Sequence, residues 1–113
     1  MRKTVREYLT SEGKNPFRAW LATLDTKVRA RLQARVLRFE MSNFGDHKAL
    51  GEGVWEARVD FGPGYRIYFG QSGSVVVILL CGGDKATQAK DVKQAKIYWK
   101  QYLKEQHDDQ AQR

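Results

Sequence analysis

Residues 53–70, GVWEARVDFGPGYRIYFG, leave the chain few choices of fold. Trp55, Ala57, Val59 and Phe61 alternate with Glu56, Arg58 and Asp60; beyond Gly62-Pro63-Gly64, Tyr65, Ile67 and Phe69 alternate with Arg66 and Tyr68. A period of two on either side of a Gly-Pro-Gly turn predicts a β-hairpin with one apolar and one polar face. If Phe61 faces Tyr65, then Asp60 faces Arg66 and Arg58 faces Tyr68, which gathers two guanidiniums on one face as a phosphate clamp. The same arginines also fit surface pairs with Glu56 and Asp60.

A second constraint is the apolar run at 75–81, whose β-branched and aliphatic residues follow the Gln71-Ser72-Gly73 turn. Such a run reads as a central, doubly covered strand. Helices are expected over one face, with the polar face locally concave. Residues 4–9 are expected as a first strand. Asn15-Pro16 is a helix start, an amide cap before a proline, with Phe17, Trp20, Leu21 and Leu24 at helical spacing. Asp25 or Thr26 caps a longer helix to about Asn43, stopped by Gly45. Its Val28, Leu32, Val36 and Phe39 share one side and Ala30, Ala34, Leu37 and Met41 nearly the opposite one, so it is expected to touch two neighbours. Between them runs a ridge of Lys27, Arg31, Arg35 and Arg38, which suits either a solvated face or a footprint on a phosphate backbone. His47 and Lys48 fall in a polar connection before the hairpin. Gly82-Gly83-Asp84-Lys85 ends the apolar strand, and Thr87 or a neighbour starts a last helix. That helix turns Val92, Ala95, Trp99, Tyr102 and Leu103 inward and Lys90, Lys93, Lys100 and Lys104 outward. The expected architecture is an α+β domain over residues 1–104, a small antiparallel-rich sheet in the order β-α-α-β-β-β-α. Residues 105–113 form a polar tail expected to fray.

With 113 residues, 42% of them hydrophobic, the chain can bury one modest core. Twenty Lys and Arg against 13 Asp and Glu give a charge of +7, which favours a polyanion or an acidic protein as partner. The lone cysteine, Cys81, excludes an internal disulfide, suits a reducing cytoplasm and reads as a small buried hydrophobe. No apolar stretch approaches the ~20 residues that span a bilayer, and the opening MRKTVREYLT has no apolar signal core, so a soluble cytoplasmic protein is expected. There is no zinc-spaced Cys/His cluster, Walker loop, GxGxxG or serine elbow, so no metal or cofactor is expected.

The run LGEGVWEARVDFGPGYRIYFG followed by VVVILLCGGDKATQAKDVKQAKIYW resembles the RelE/ParE toxin superfamily of bacterial toxin–antitoxin modules, most of all its HigB-like branch of addiction module killer proteins. The resemblance covers nearly the whole chain and rests on three elements. These are the strand Leu50-x-x-Gly53-x-Trp55-Glu56-x-Arg58, the strand Tyr65 to Phe69, and Gly82-Gly83-Asp84-Lys85 before a lysine-rich helix. It implies a cytoplasmic toxin neutralised by a cognate antitoxin, expected as a helix-turn-helix protein, with operator DNA bound only through the complex. Ribosome-dependent members cut mRNA, whereas ParE-like members inhibit DNA gyrase without cleaving RNA, and the shared fold does not choose between them. A non-toxic nucleic-acid-binding module is a third reading.

Under the nuclease reading the resemblance assigns Arg66 to the phosphate undergoing reaction and Arg58 to an adjacent one, roles that suit a planar, permanently charged fork. His47 and Lys48 match a segment where the family often places a proton-transfer residue; chance exposed residues would look the same. Tyr68 would stack on a base, orient a phosphate, or simply pack across the strands. Lys27, Arg31, Arg35 and Arg38 would meet ribosomal RNA. The chain departs from the pattern where several ribosome-dependent members of the superfamily end their last strand or their C-terminus with a tyrosine or histidine. Here Lys85 is the available cation or acid, unless it is merely an exposed residue before the helix.

Overall fold

The apolar run forms most of β5 (Val76–Asp84), and Val77 to Cys81 are buried between two layers of helix. The computed structural model describes residues 2–111, the side chains of 108–111 excepted. β5 lies parallel to β1 (Thr4–Glu7) and antiparallel to β4 (Tyr65–Ser72). β3 (Val54–Val59) and β2 (His47–Gly51) continue a five-stranded mixed sheet in the order β1-β5-β4-β3-β2. The parallel pair needs a long crossover, and two helices plus the β2–β4 meander fill it.

α1 (Pro16–Ala22) begins as its sequence indicates: the Asn15 side-chain oxygen accepts from the Arg18 amide at 2.9 Å, and Pro16 takes the first helical position. Asp25 caps α2 (Thr26–Leu37) by accepting from the Lys27 amide at 3.1 Å. Asp84 and Thr87 form a capping box around a 3₁₀ turn, Lys85–Thr87, that leads into α3 (Gln88–Ala111). One face of the sheet carries Phe17, Leu21, Leu32, Phe39, Phe44, Ala57, Ile67, Phe69, Val77 and Leu79. The other packs Tyr8, Val54, Tyr68, Ile78, Leu80, Cys81, Ala95 and Trp99. No helix among the described residues is long and apolar enough to cross a membrane.

The structure corrects several expectations. Helices cover both faces, α1 and α2 on one and α3 on the other, because β5 is apolar on both sides. The connection holding His47 and Lys48 is a strand: β2 gains its backbone partners from β3, although its exposed, weakly patterned sequence carries no period. β1 stops at Glu7, and Leu9 is exposed. α2 gives way after Leu37 to a 3₁₀ turn, Arg38–Met41, and its second apolar side is not buried as expected, since Leu37 and Met41 are exposed. Leu103, expected inward, is exposed, and α3 extends to Ala111; Gln112 and Arg113 lie outside the described residues.

The hairpin register is shifted as well. Val59 pairs with Tyr65, Arg58 with Arg66 and Glu56 with Tyr68, so Asp60 belongs to the turn rather than the ladder. Phe61 N–H donates to the Val59 carbonyl and Gly64 N–H to the Phe61 carbonyl, each at 3.0 Å, which lengthens the turn. On β5 a bulge opposite Tyr68 and Phe69 puts Cys81 beside Tyr68, Gly82 beside Ile67 and Gly83 beside Arg66. The strand therefore continues through both glycines. A Cβ on Gly82 would lie 2.2 Å from the Trp20 ring, and one on Gly83 would lie 1.8 Å from an Asp91 carboxylate oxygen. Each glycine makes room for a helix on its own face.

Candidate functional site

The ladder brings Arg58, Arg66 and Gly83 side by side, and one step along it Lys48, Glu56, Tyr68 and Cys81. These two rows occupy the α3 face. Two like charges directly opposite each other on a sheet repel, and Glu56 supplies the compensation. Its side chain is 0% exposed, with Oε1 3.5 Å from Arg58 Nε and Oε2 3.6 Å from Arg66 Nε. Gln88, at the start of α3, donates to Oε2 at 2.9 Å. A buried carboxylate left alone would cost several kcal/mol, so the arginines hold it in place as much as it holds them. The arginine contacts are ionic rather than well-formed hydrogen bonds. One carboxylate between two guanidiniums leaves a net positive charge.

Beyond this group the surface opens into a cleft of about 190 Å³ lined by Asp46, Arg58, Val59, Asp60, Gly64, Tyr65, Arg66 and Lys85. Arg66 is 11% exposed and donates from Nη1 to the Gly64 carbonyl at 3.0 Å, whereas Arg58 is 39% exposed. Lys85 is exposed at the rim, placed by the 3₁₀ turn that its capping box fixes. The cleft thus converges three cations and two carboxylates from β3, β4, the turn between them, the segment before β2 and the start of the last helical layer.

A second cleft, of about 370 Å³, adjoins the first through Val59 and Asp60 and is lined also by Arg31, Ala34, Arg35, Arg38 and Phe61. The Arg31 guanidinium lies 3.8 Å above the Phe61 ring. Arg35 points inward and donates to the carbonyls of Arg58 at 2.8 Å, Phe44 at 2.7 Å and Asp46 at 3.2 Å. Burial, then the neighbouring Arg38, draws its pKa below the ordinary arginine value. Arg35 therefore pins α2 to β3 and is not a free phosphate ligand, which corrects its place in the basic ridge. Lys27 is exposed and lines neither cleft.

Tyr68 is fully buried beside Glu56 and Cys81, not opposite Arg58, so it cannot stack on a base. Burial, and then the charges of Glu56 and Asp91, push its phenol far above the ordinary range and keep it neutral. His47 pairs with Ala57 and so lies on the α1/α2 face, against Phe44 and Trp55, with Nδ1 2.7 Å from the Gly45 carbonyl. It is not in the cleft. Lys48 shares the face of the arginines, opposite Glu56, but does not line the cleft either. Burial, with the Asp91 charge, pushes the Cys81 thiol up to about 12, the state of an inert core residue.

The structure brings Arg58, Arg66 and Lys85 together, and the pairing of the arginines with Glu56 is as the sequence allowed, but the pairs are centred on a buried carboxylate rather than lying at the surface. Gln88, Asp46 and Phe61 carried no sequence signal for the site, because other elements bring them in. Among the described residues no three His, Cys, Asp or Glu side chains converge on a metal-sized site.

No family model matches the chain. Over 82 residues, 72% of the chain and 83% of the relative, it is 49% identical to an uncharacterized protein of Haemophilus influenzae, and it belongs to the same family as that protein.

Proposed function

We propose that this chain, a member of that family, is the toxin of a type II toxin–antitoxin module: a metal-independent endoribonuclease that cuts translated mRNA in the cytoplasm and is neutralised by a cognate antitoxin. The convergence of Arg58, Arg66 and Lys85 on one cleft carries the reading. RNA cleavage of this kind needs no external water. The ribose 2′-oxygen attacks the adjacent phosphorus and the bond to the 5′-oxygen breaks, leaving a 2′,3′-cyclic phosphate and a 5′-hydroxyl. Charge accumulates on the pentacoordinate phosphorus, and preorganised donors stabilise it by about 3 kcal/mol each. Arg66, held by Glu56 and Gly64, is that donor, and Arg58 takes the neighbouring phosphate oxygen. Asp46 accepts the 2′-hydroxyl proton, and Lys85 donates one to the departing 5′-oxygen.

The test is to induce the protein and its Arg66→Ala variant in a bacterial host and map mRNA ends by primer extension within minutes. New ends at codon-related positions are expected, reduced about 100-fold or more in the variant. A folded, soluble Arg66→Ala protein that still arrests growth and cuts mRNA removes the catalytic assignment. One observation favours a second, non-enzymatic reading: Glu56 neutralises half of the arginine charge, as in a rigid protein-docking surface. Growth arrest with intact transcripts, trapped gyrase–DNA complexes and an SOS response would select that reading.

A further inference from the structure

The second cleft has a use that the first does not explain. Its wall carries a platform, the Arg31 guanidinium over the Phe61 ring, which joins α2 to the β3–β4 turn. Arg38, two helical turns along, is exposed on the same cleft. Arg35, between them in sequence, is turned away to three backbone carbonyls, one of them that of Arg58. It closes the floor and ties the platform to the strand that bears the first cleft. Val59 and Asp60 line both compartments, so the two lie side by side with Asp60 at their boundary.

A planar cation or aromatic surface beside a phosphate site is how proteins hold an unstacked base, and duplexes do not present one. Asp60 adds selectivity. It is exposed, and no ion pair or hydrogen bond engages its side chain among the described residues, although arginines line both of its compartments. A carboxylate repels phosphate and accepts hydrogen bonds from base amino groups, cytosine N4 among them.

We infer that the second cleft is a base-binding subsite for single-stranded RNA. It takes the nucleotide next to the phosphate held by Arg58 and Arg66, stacks its base on the Arg31 guanidinium that Phe61 backs, and prefers a base that offers an exocyclic amine to Asp60. The inference rests on the RNA-cleaving reading above and adds the recognition of a neighbouring base.

Binding of short, fluorescein-labelled oligocytidylate and oligouridylate, made uncleavable by 2′-O-methylation, is measured by fluorescence anisotropy. The proteins are wild type, Arg31→Ala, Phe61→Ala, Asp60→Asn and Arg66→Ala, each checked for fold by circular dichroism. Arg31→Ala should weaken binding about tenfold, and Asp60→Asn should erase the preference for cytidine over uridine while keeping much of the affinity. Because Arg31 is an exposed helical residue, its variant tests the site even if Phe61→Ala is poorly folded. Wild-type affinity in Arg31→Ala together with weakened binding in Arg66→Ala overturns the subsite and leaves the nuclease reading standing. An equal dependence on Arg31 for double-stranded RNA overturns base stacking. Absence of binding to either oligonucleotide by the wild-type protein overturns the subsite, and the nuclease reading then stands or falls on the mapping of mRNA ends.

Discussion

Under α1 and α2 the centre of the sheet is covered by aliphatic and aromatic side chains, with Phe39, Phe44 and Phe69 in mutual ring contact. Under α3 the apolar cluster reaches Tyr68 and Cys81, and alongside and beyond them lie Glu56, Arg58 and Arg66. The same strands build both faces, since their side chains alternate between them. The two faces divide the labour: one supplies burial, and the other, anchored by Trp99 and Ala95 on α3, holds a charged group whose opposite charges balance in part across ionic contacts of 3.5 and 3.6 Å.

The comparison breaks if a change on either face moves stability and activity alike. Phe39→Ala should have the largest effect, about 3–5 kcal/mol from lost burial and the cavity left behind, read by urea unfolding. Cleavage per folded molecule should stay at the wild-type level, and a parallel loss of both would dissolve the distinction.

Glu56→Ala should cost less, about 3 kcal/mol, because Arg58 is partly exposed and can turn to water. Its effect on mRNA cutting should be disproportionate, at least about tenfold per folded molecule, since both guanidiniums lose the group that orients them. Unchanged cutting in a folded Glu56→Ala protein would show that the arginines need no such support.

The smallest effect sharpens the comparison at the far edge of the sheet. Glu7, at the end of β1, accepts from the Arg18 guanidinium and from Asn15 Nδ2 at 2.7 Å, joining β1 to the start of α1. The Arg18 hydrogen bonds, against some desolvation, lower its pKa from the ordinary 4.5. A carboxylate whose folded pKa is depressed contributes stability above its unfolded pKa and loses it as pH falls through the folded one. Glu7→Gln should therefore cost up to about 1 kcal/mol at neutral pH, and the gap from wild type should close below pH 4.5. A gap independent of pH would assign the effect to packing.

Much of the fold was legible before any coordinates. The Asn15-Pro16 and Asp25 caps, the hairpin and the doubly buried β5 all carry local signals: a side chain reaching its own helix, a period of two, an unbroken apolar run. β2 carried none. An edge strand with exposed residues is held by its neighbour's backbone, and HKALG by itself resembles a polar connection. The site divided in the same way. Arg58 and Arg66 share a face at any even shift of register, so their proximity survived an error in pairing. His47 and Tyr68 did not survive it, because an unrecognised strand put one on the opposite face and α3 buried the other.

The amino-acid sequence was enough for α1, α2, α3, the hairpin and β5, for the charged side of the hairpin, and for the basic character of the chain, because periodicity, caps and charge are properties of neighbours along the chain. Tertiary structure alone decided that Arg58 would stand opposite Arg66, that Glu56 would be sealed between them under Gln88, and that Asp60 would divide two clefts. Those outcomes depend on the hydrogen bonds of one turn, a bulge in β5 and the docking of two helical layers on glycines that leave them room. They are contacts between residues distant in sequence, and no local pattern encodes the register at which such residues meet.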